Sequence, residues 1–172
     1  MALRYFMKPL VCVASEQKQN VPMETLILNR IEISSPSFKE GENIPTKHTC
    51  DGENISPALE IGALPEGVLS LALIADDPDA PAGTWTHWLM WDIPPLNGIP
   101  EGAAPGILGR NDFNQTNYGG PCPPLGTHRY FFRMYALNCT LNLPEGSTKD
   151  ELLEAMRNHV LASGELMGVY SR

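Results

Sequence analysis

No two cysteines stand in a Cys-x-x-Cys pair; the four present, Cys12, Cys50, Cys122 and Cys139, are scattered along the chain. That spacing argues against a zinc knuckle or a dithiol redox motif and leaves both pairing and compartment open. A Gly-x-Ser-x-Gly elbow is missing, and Ser163-Gly164 falls in an expected strand, so serine hydrolysis has no local signature. The four histidines form no His-x-x-x-His spacing, which leaves a metal centre little support; no metal and no cofactor are expected. Basic residues are also short, 12 Lys and Arg against 20 Asp and Glu, for a net charge of −8. This balance argues against nonspecific binding to nucleic acid or an anionic membrane, so an anionic ligand would need local donors. Long apolar runs are absent near the start, where Lys8 and Pro9 interrupt the stretch ending at Ala14, short of the roughly 7–15 residues of a secretory core. The expectation is no signal peptide and no membrane span, a cytoplasmic location with the periplasm as alternative, and an N-terminal extension over 1–23, partly disordered over 16–20.

What the chain does have is 16 prolines and 15 glycines within an ordinary 42% hydrophobic composition. Many turns and no repeats predict one domain over 24–172, mainly β: an antiparallel sandwich-like fold with one or two peripheral helices. Strands are expected near 25–34, 59–61, 68–75, 87–93, 129–137 and 160–170, the last bulged at Gly164. Overlapping capping boxes, Ser147-x-x-Asp150 and Thr148-x-x-Glu151, open a helix over 148–157 whose apolar face is Leu152, Leu153 and Met156. The acidic stretch Asp51 to Asn54 lacks calcium-loop spacing and reads as a surface turn. Residues 96–120 form a long excursion of loops and short strands, the kind that frames a site.

The organising stretch is Asp77-Pro78-Asp79-Ala80-Pro81, where an apolar strand runs into carboxylates on a rim stiffened by proline. Taken alone it is equally a turn between strands, and each histidine alone is more often a hydrogen-bonded core residue than a functional one. The pattern, however, repeats. Asp77 to Pro81 leads to Trp85 and His87, and Pro121 to Pro124 leads to His128 and Tyr130, each histidine opening an aromatic-rich strand. If the rims meet, they enclose Asp77, Asp79, two imidazoles and a phenol in an apolar cleft.

These two stretches, Asp77 to His87 and Gly120-Pro121-Cys122-Pro123-Pro124-Leu125-Gly126-Thr127-His128-Arg129-Tyr130, resemble the signature regions of the phosphatidylethanolamine-binding protein family, which includes the Raf kinase inhibitor proteins. Cys50 to Pro57 and Gly168 to Arg172 resemble its prokaryotic branch, and the likeness runs from about Leu26 to the end. The resemblance implies an antiparallel β-sandwich with a small pocket for phosphate and similar anions, lined by Asp77, His87, His128 and Tyr130 and walled by Trp85, Pro121 and Pro123. It implies a noncatalytic anion-binding module, with regulation of a partner kinase or protease as the family-level suggestion. The sequence departs from animal members in Thr86 before His87, in Cys122 within the proline run, and in ending without their longer C-terminal helix. The competing reading is a hydrolase using the same pocket, with histidines as acid and base or as metal ligands. Oligomeric state has no signature.

Overall fold

The computed structural model describes residues 29–172; the expected extension over 1–23 and the beginning of the expected first strand lie outside the described residues. The elements in order are β1 (Asn29–Arg30), β2 (Ile33–Ser34), a 3-10 turn (Thr46–His48), β3 (Leu59–Ile61), β4 (Ser70–Asp77), β5 (Trp85–Ile93), β6 (Gly98–Ile99), β7 (Ile107–Leu108), β8 (Thr127–Leu137), α1 (Lys149–Met156) and β9 (Val160–Ser171). They build a six-stranded sheet in the order β1-β9-β8-β4-β5-β7 and a three-stranded sheet in the order β2-β3-β6. Pairing is antiparallel except for β1, which runs parallel to β9. The mainly β expectation holds, with one α-helix among the described residues.

The strand expected near 25–34 is not one strand. Its described part divides into β1 in the large sheet and β2 in the small one, so the chain changes sheets between Arg30 and Ile33. Two cores explain the rest. One lies between the sheets and contains Ile33, Leu59, Ile61 and Ile99 of the small sheet with Leu71, Leu73, Ala75 and Trp88 of the large one. The other lies on the opposite face of the large sheet, where Ala72, Ile74, Leu89 and Trp91 meet Leu152 and Met156 of α1. β4 is therefore buried along its whole length, which is why it reads as a continuous apolar run rather than an alternating one.

The capping box at Thr148 forms as expected, with the Thr148 side chain accepting from the Glu151 amide and the Glu151 carboxylate accepting from the Thr148 amide. Leu153, expected on the apolar face of the helix, is instead 42% exposed. The bulge in β9 is not at Gly164, which pairs in register with Met134; the register slips at Leu161, between Ala162 and Val160. Gly164 has a different reason to be glycine: a Cβ there would lie 2.0 Å from the Ile31 carbonyl oxygen. The Ile31 amide donates to Ser163 O in the same crossing.

Candidate functional site

Strand alternation sends neighbouring carboxylates at the end of β4 to opposite faces. Asp76 turns to the outer face and pairs with Arg133 and Lys149. Asp77 turns inward, is 3% exposed, and its Oδ2 accepts from His128 Nδ1 at 2.7 Å. Its Oδ1 accepts from the Asp79 amide at 2.8 Å, an Asx turn that fixes the rim.

His87 reaches the same cleft through a β-bulge. Ala75 pairs with Trp88 and Asp76 with Thr86, so His87 is the extra residue of β5. An extra residue re-aims a side chain. Its Nδ1 lies 2.6 Å from the Gly119 carbonyl oxygen; a carbonyl can only accept, so Nδ1 carries the proton and Nε2 is bare in the neutral ring. Burial pushes the His87 pKa down, against the raising effect of the Gly119 hydrogen bond. The ring packs edge-on against Phe113 and Tyr130, centroids 5.3 Å apart in each case.

Tyr130 stands two residues beyond His128 on the same face of β8. It is 3% exposed, and its hydroxyl forms no well-made hydrogen bond to any described residue, although the Cys122 backbone lies beside it. Burial pushes its pKa well above the ordinary phenol value. The Trp85 indole N–H is also buried without a partner among the described residues, and its ring meets Phe113 edge-on at 5.5 Å.

Together these groups enclose a cavity of about 340 Å³, with Asp77, His87, His128 and Tyr130 as polar lining and Trp85, Phe113, Pro81, Pro123 and Pro124 among its apolar walls. Two expected site residues fall outside it. Asp79 faces Arg129 in a bidentate pair, with distances of 2.9 and 2.7 Å, which holds its pKa down to about 2 and clamps the rim to the start of β8. Pro121 sits behind the wall, its carbonyl accepting from the Cys50 amide. Conversely, Phe113 was not legible as a site residue, although it is the sole aromatic between Trp91 and Tyr118 in the long excursion expected to frame a site. Asn111 holds that excursion, donating to the carbonyls of His87 and Asn117 while accepting from the Phe113 and Gln115 amides.

The cysteine pairing left open by the sequence is resolved for two residues: Cys50 and Cys122, 72 residues apart, form a disulfide in the cavity wall, which Cys122 lines. Asp51, in the expected surface turn, accepts from Tyr170 and Arg172. A groove of about 360 Å³ also runs over the outer face between Arg30 and Arg133. Arg133 is already paired there with Asp76 and Glu165, whereas the inner cavity holds a buried polar group without a well-made hydrogen bond among the described residues. Among the described residues, no three His, Cys, Asp or Glu side chains gather around a common metal position.

The family description phosphatidylethanolamine-binding protein matches residues 34–171. A UPF0098 protein of Pyrococcus horikoshii is 49% identical over 149 residues, covering 80% of this chain and 75% of that protein. Another from Aquifex aeolicus is 44% identical, covering 83% and 89%. Among solved structures, a phosphatidylethanolamine-binding protein homologue from Chlamydia trachomatis superposes with a TM-score of 0.81 at 40% identity, covering 84% of this chain and 99% of its own. Escherichia coli YbcL gives 0.78 at 31%, covering 83% and 99%.

Proposed function

The chain belongs to the phosphatidylethanolamine-binding protein family, and from that premise we propose that its inner cavity binds a small phosphorylated or otherwise anionic ligand without turning it over. The observation that carries this reading is the Tyr130 hydroxyl, buried, without a well-made hydrogen bond, and lining the same cavity as His87 and the Asp77–His128 pair. A ligand oxygen accepting from that hydroxyl would satisfy it. His128, held at Nδ1 by Asp77, presents Nε2, which donates to the anion when the ring is protonated. His87 is different: with its proton on Nδ1, its Nε2 is an acceptor. The best anion is therefore one that still carries a proton, able to donate to His87 while accepting from Tyr130 and His128.

A monoprotonated phosphate ester meets that pattern and a sulfate ester does not. Calorimetric titration should give tighter binding of the phosphate ester, weakening as pH rises through its second ionisation near about 6. His128→Ala should lose about 1–3 kcal/mol of binding while remaining folded. Unchanged affinity in folded His87→Ala and His128→Ala variants would remove the cavity from consideration. Hydrolysis of phosphate or acyl esters that disappears in His128→Ala would replace the binding module with the hydrolase. The protein's action in the proposed reading is through what it holds: the occupied cavity, with Phe113 38% exposed at its rim, is the face a partner kinase or protease would meet.

A further inference from the structure

The wall that carries Cys122, Pro123 and Pro124 into the cavity buries Pro121 and Pro123 but has few backbone hydrogen bonds to hold it. Pro121, Pro123 and Pro124 have no amide hydrogen, so from 121 to 124 only Cys122 has one to donate. Among the described residues, backbone hydrogen bonds from this wall to other segments lie at its ends, Cys50 N to Pro121 O at 3.1 Å and the reciprocal Gly126–Arg172 pair at 3.1 and 3.3 Å. Between those ends the covalent tether is the Cys50–Cys122 disulfide. Cys50 is exposed and Cys122 half-buried. Beside Cys122 sits the Arg172 guanidinium, which donates from Nη1 to its sulfur at 3.6 Å and from Nη2 to Asp51 at 2.6 Å.

We infer that the Cys50–Cys122 disulfide is a reducible lock on the cavity wall, and that a dithiol reductant opens it and weakens the cavity's hold on its anion. The inference rests on the anion-binding reading of the same cavity. A thiolate of the reductant attacks the exposed Cys50 sulfur, the Cys50–Cys122 bond breaks, and Cys122 leaves as a thiolate beside Arg172. A cation there stabilises the leaving thiolate, and a better-stabilised leaving group departs faster. The second thiol of the reductant then displaces Cys50 from the mixed disulfide. The reductant ends as its own disulfide, having given two electrons, and the protein ends with two thiols. The freed wall loses its covalent tie to the 46–56 segment, while Tyr118 to His48 O and Gly120 to Asn54 Oδ1 keep its upstream part in place.

The test compares oxidised protein, protein treated with dithiothreitol, and the Cys50→Ser/Cys122→Ser variant, which isolates this bond from any other thiol. Two readouts are used: affinity for phenyl phosphate and hydrogen exchange of the Cys122, Leu125 and Gly126 amides. Reduction and the variant should each weaken phenyl phosphate binding by about fivefold or more and speed exchange at those amides by about tenfold, while the circular dichroism of the sheet stays unchanged. Glutathione, used in place of the dithiol, should leave its adduct on Cys50, and Arg172→Met should slow reduction. If oxidised protein fails to bind phenyl phosphate, the anion reading falls and hydrogen exchange alone decides the lock. If neither affinity nor exchange changes by more than about twofold on reduction, the lock is overturned, whether or not phosphate binds.

Discussion

A buried phenol lacking a hydrogen-bond partner costs the folded chain stability and offers a ligand an unpaired donor. At Tyr130 the two effects separate experimentally. Tyr130→Phe removes the hydroxyl and keeps the ring that packs on His87. Stability should stay level or rise by as much as about 1 kcal/mol, while phosphate affinity falls by about 0.5–1.5 kcal/mol, the net contribution of one hydrogen bond. Chemical denaturation and calorimetry on the same sample check the pair, and a fall in both would mean the hydroxyl is satisfied within the fold. His87 has its own signature. Because burial lowers its pKa, the unfolded chain binds more protons than the folded one in the window below the ordinary histidine value. Stability must then decline as pH falls through that window. His87→Gln, uncharged throughout, should remove this part of the decline between about pH 7 and about pH 5, as read from urea melts across that range. An identical slope in wild type and variant would show that His87 titrates as an ordinary histidine.

Elements that bury a continuous or alternating face were readable from sequence, and those defined by close approach were not. β4, β5, β8, β9 and α1 lie within two residues of their expected ranges because apolar period and capping are local properties. The candidate site was legible for the same reason: a proline-stiffened rim followed by histidine and aromatics is a pattern within one segment. Asp79 shares the proline-stiffened rim with Asp77 but is drawn out of the cavity by Arg129, a partner 50 residues away that no local pattern shows. Phe113 was missed because the excursion carrying it has no period. A glycine inside a strand suggests a bulge at Gly164, whereas the structure uses that glycine to let the segment between β1 and β2 cross β9. Gly164→Ala should therefore destabilise the fold by about 1–3 kcal/mol through overpacking against the Ile31 carbonyl. Adding Arg30→Ala should not restore it, since the clash is with backbone. Thermal unfolding of the single and double variants checks this; an unperturbed melting temperature for Gly164→Ala would mean that the crossing is loose.

At the scale of the whole molecule, the Cys50–Cys122 bond joins the 3-10 turn region to the wall of the cavity across 72 residues, a constraint no local sequence signal could announce. Closing a loop of that length restricts the unfolded chain far more than it alters the folded one, and a bond of this kind contributes about 2–4 kcal/mol. The sequence led to a cytoplasmic expectation, yet such bonds persist mainly in oxidising compartments, with intracellular proteins of hyperthermophiles as the exception. We expect Cys50→Ser/Cys122→Ser to lower the unfolding free energy by about 2–4 kcal/mol in urea melts while the helix and strand signals in circular dichroism stay unchanged. Thiol trapping in intact cells then assigns the compartment: blocked thiols at Cys50 and Cys122 before lysis would place the working protein under reducing conditions, and their absence would place it under oxidising ones. A variant that matches wild type in stability would mean that Asp51, Tyr170 and Arg172 already hold the 46–56 segment to the C-terminal strand, leaving the disulfide to act on the wall alone.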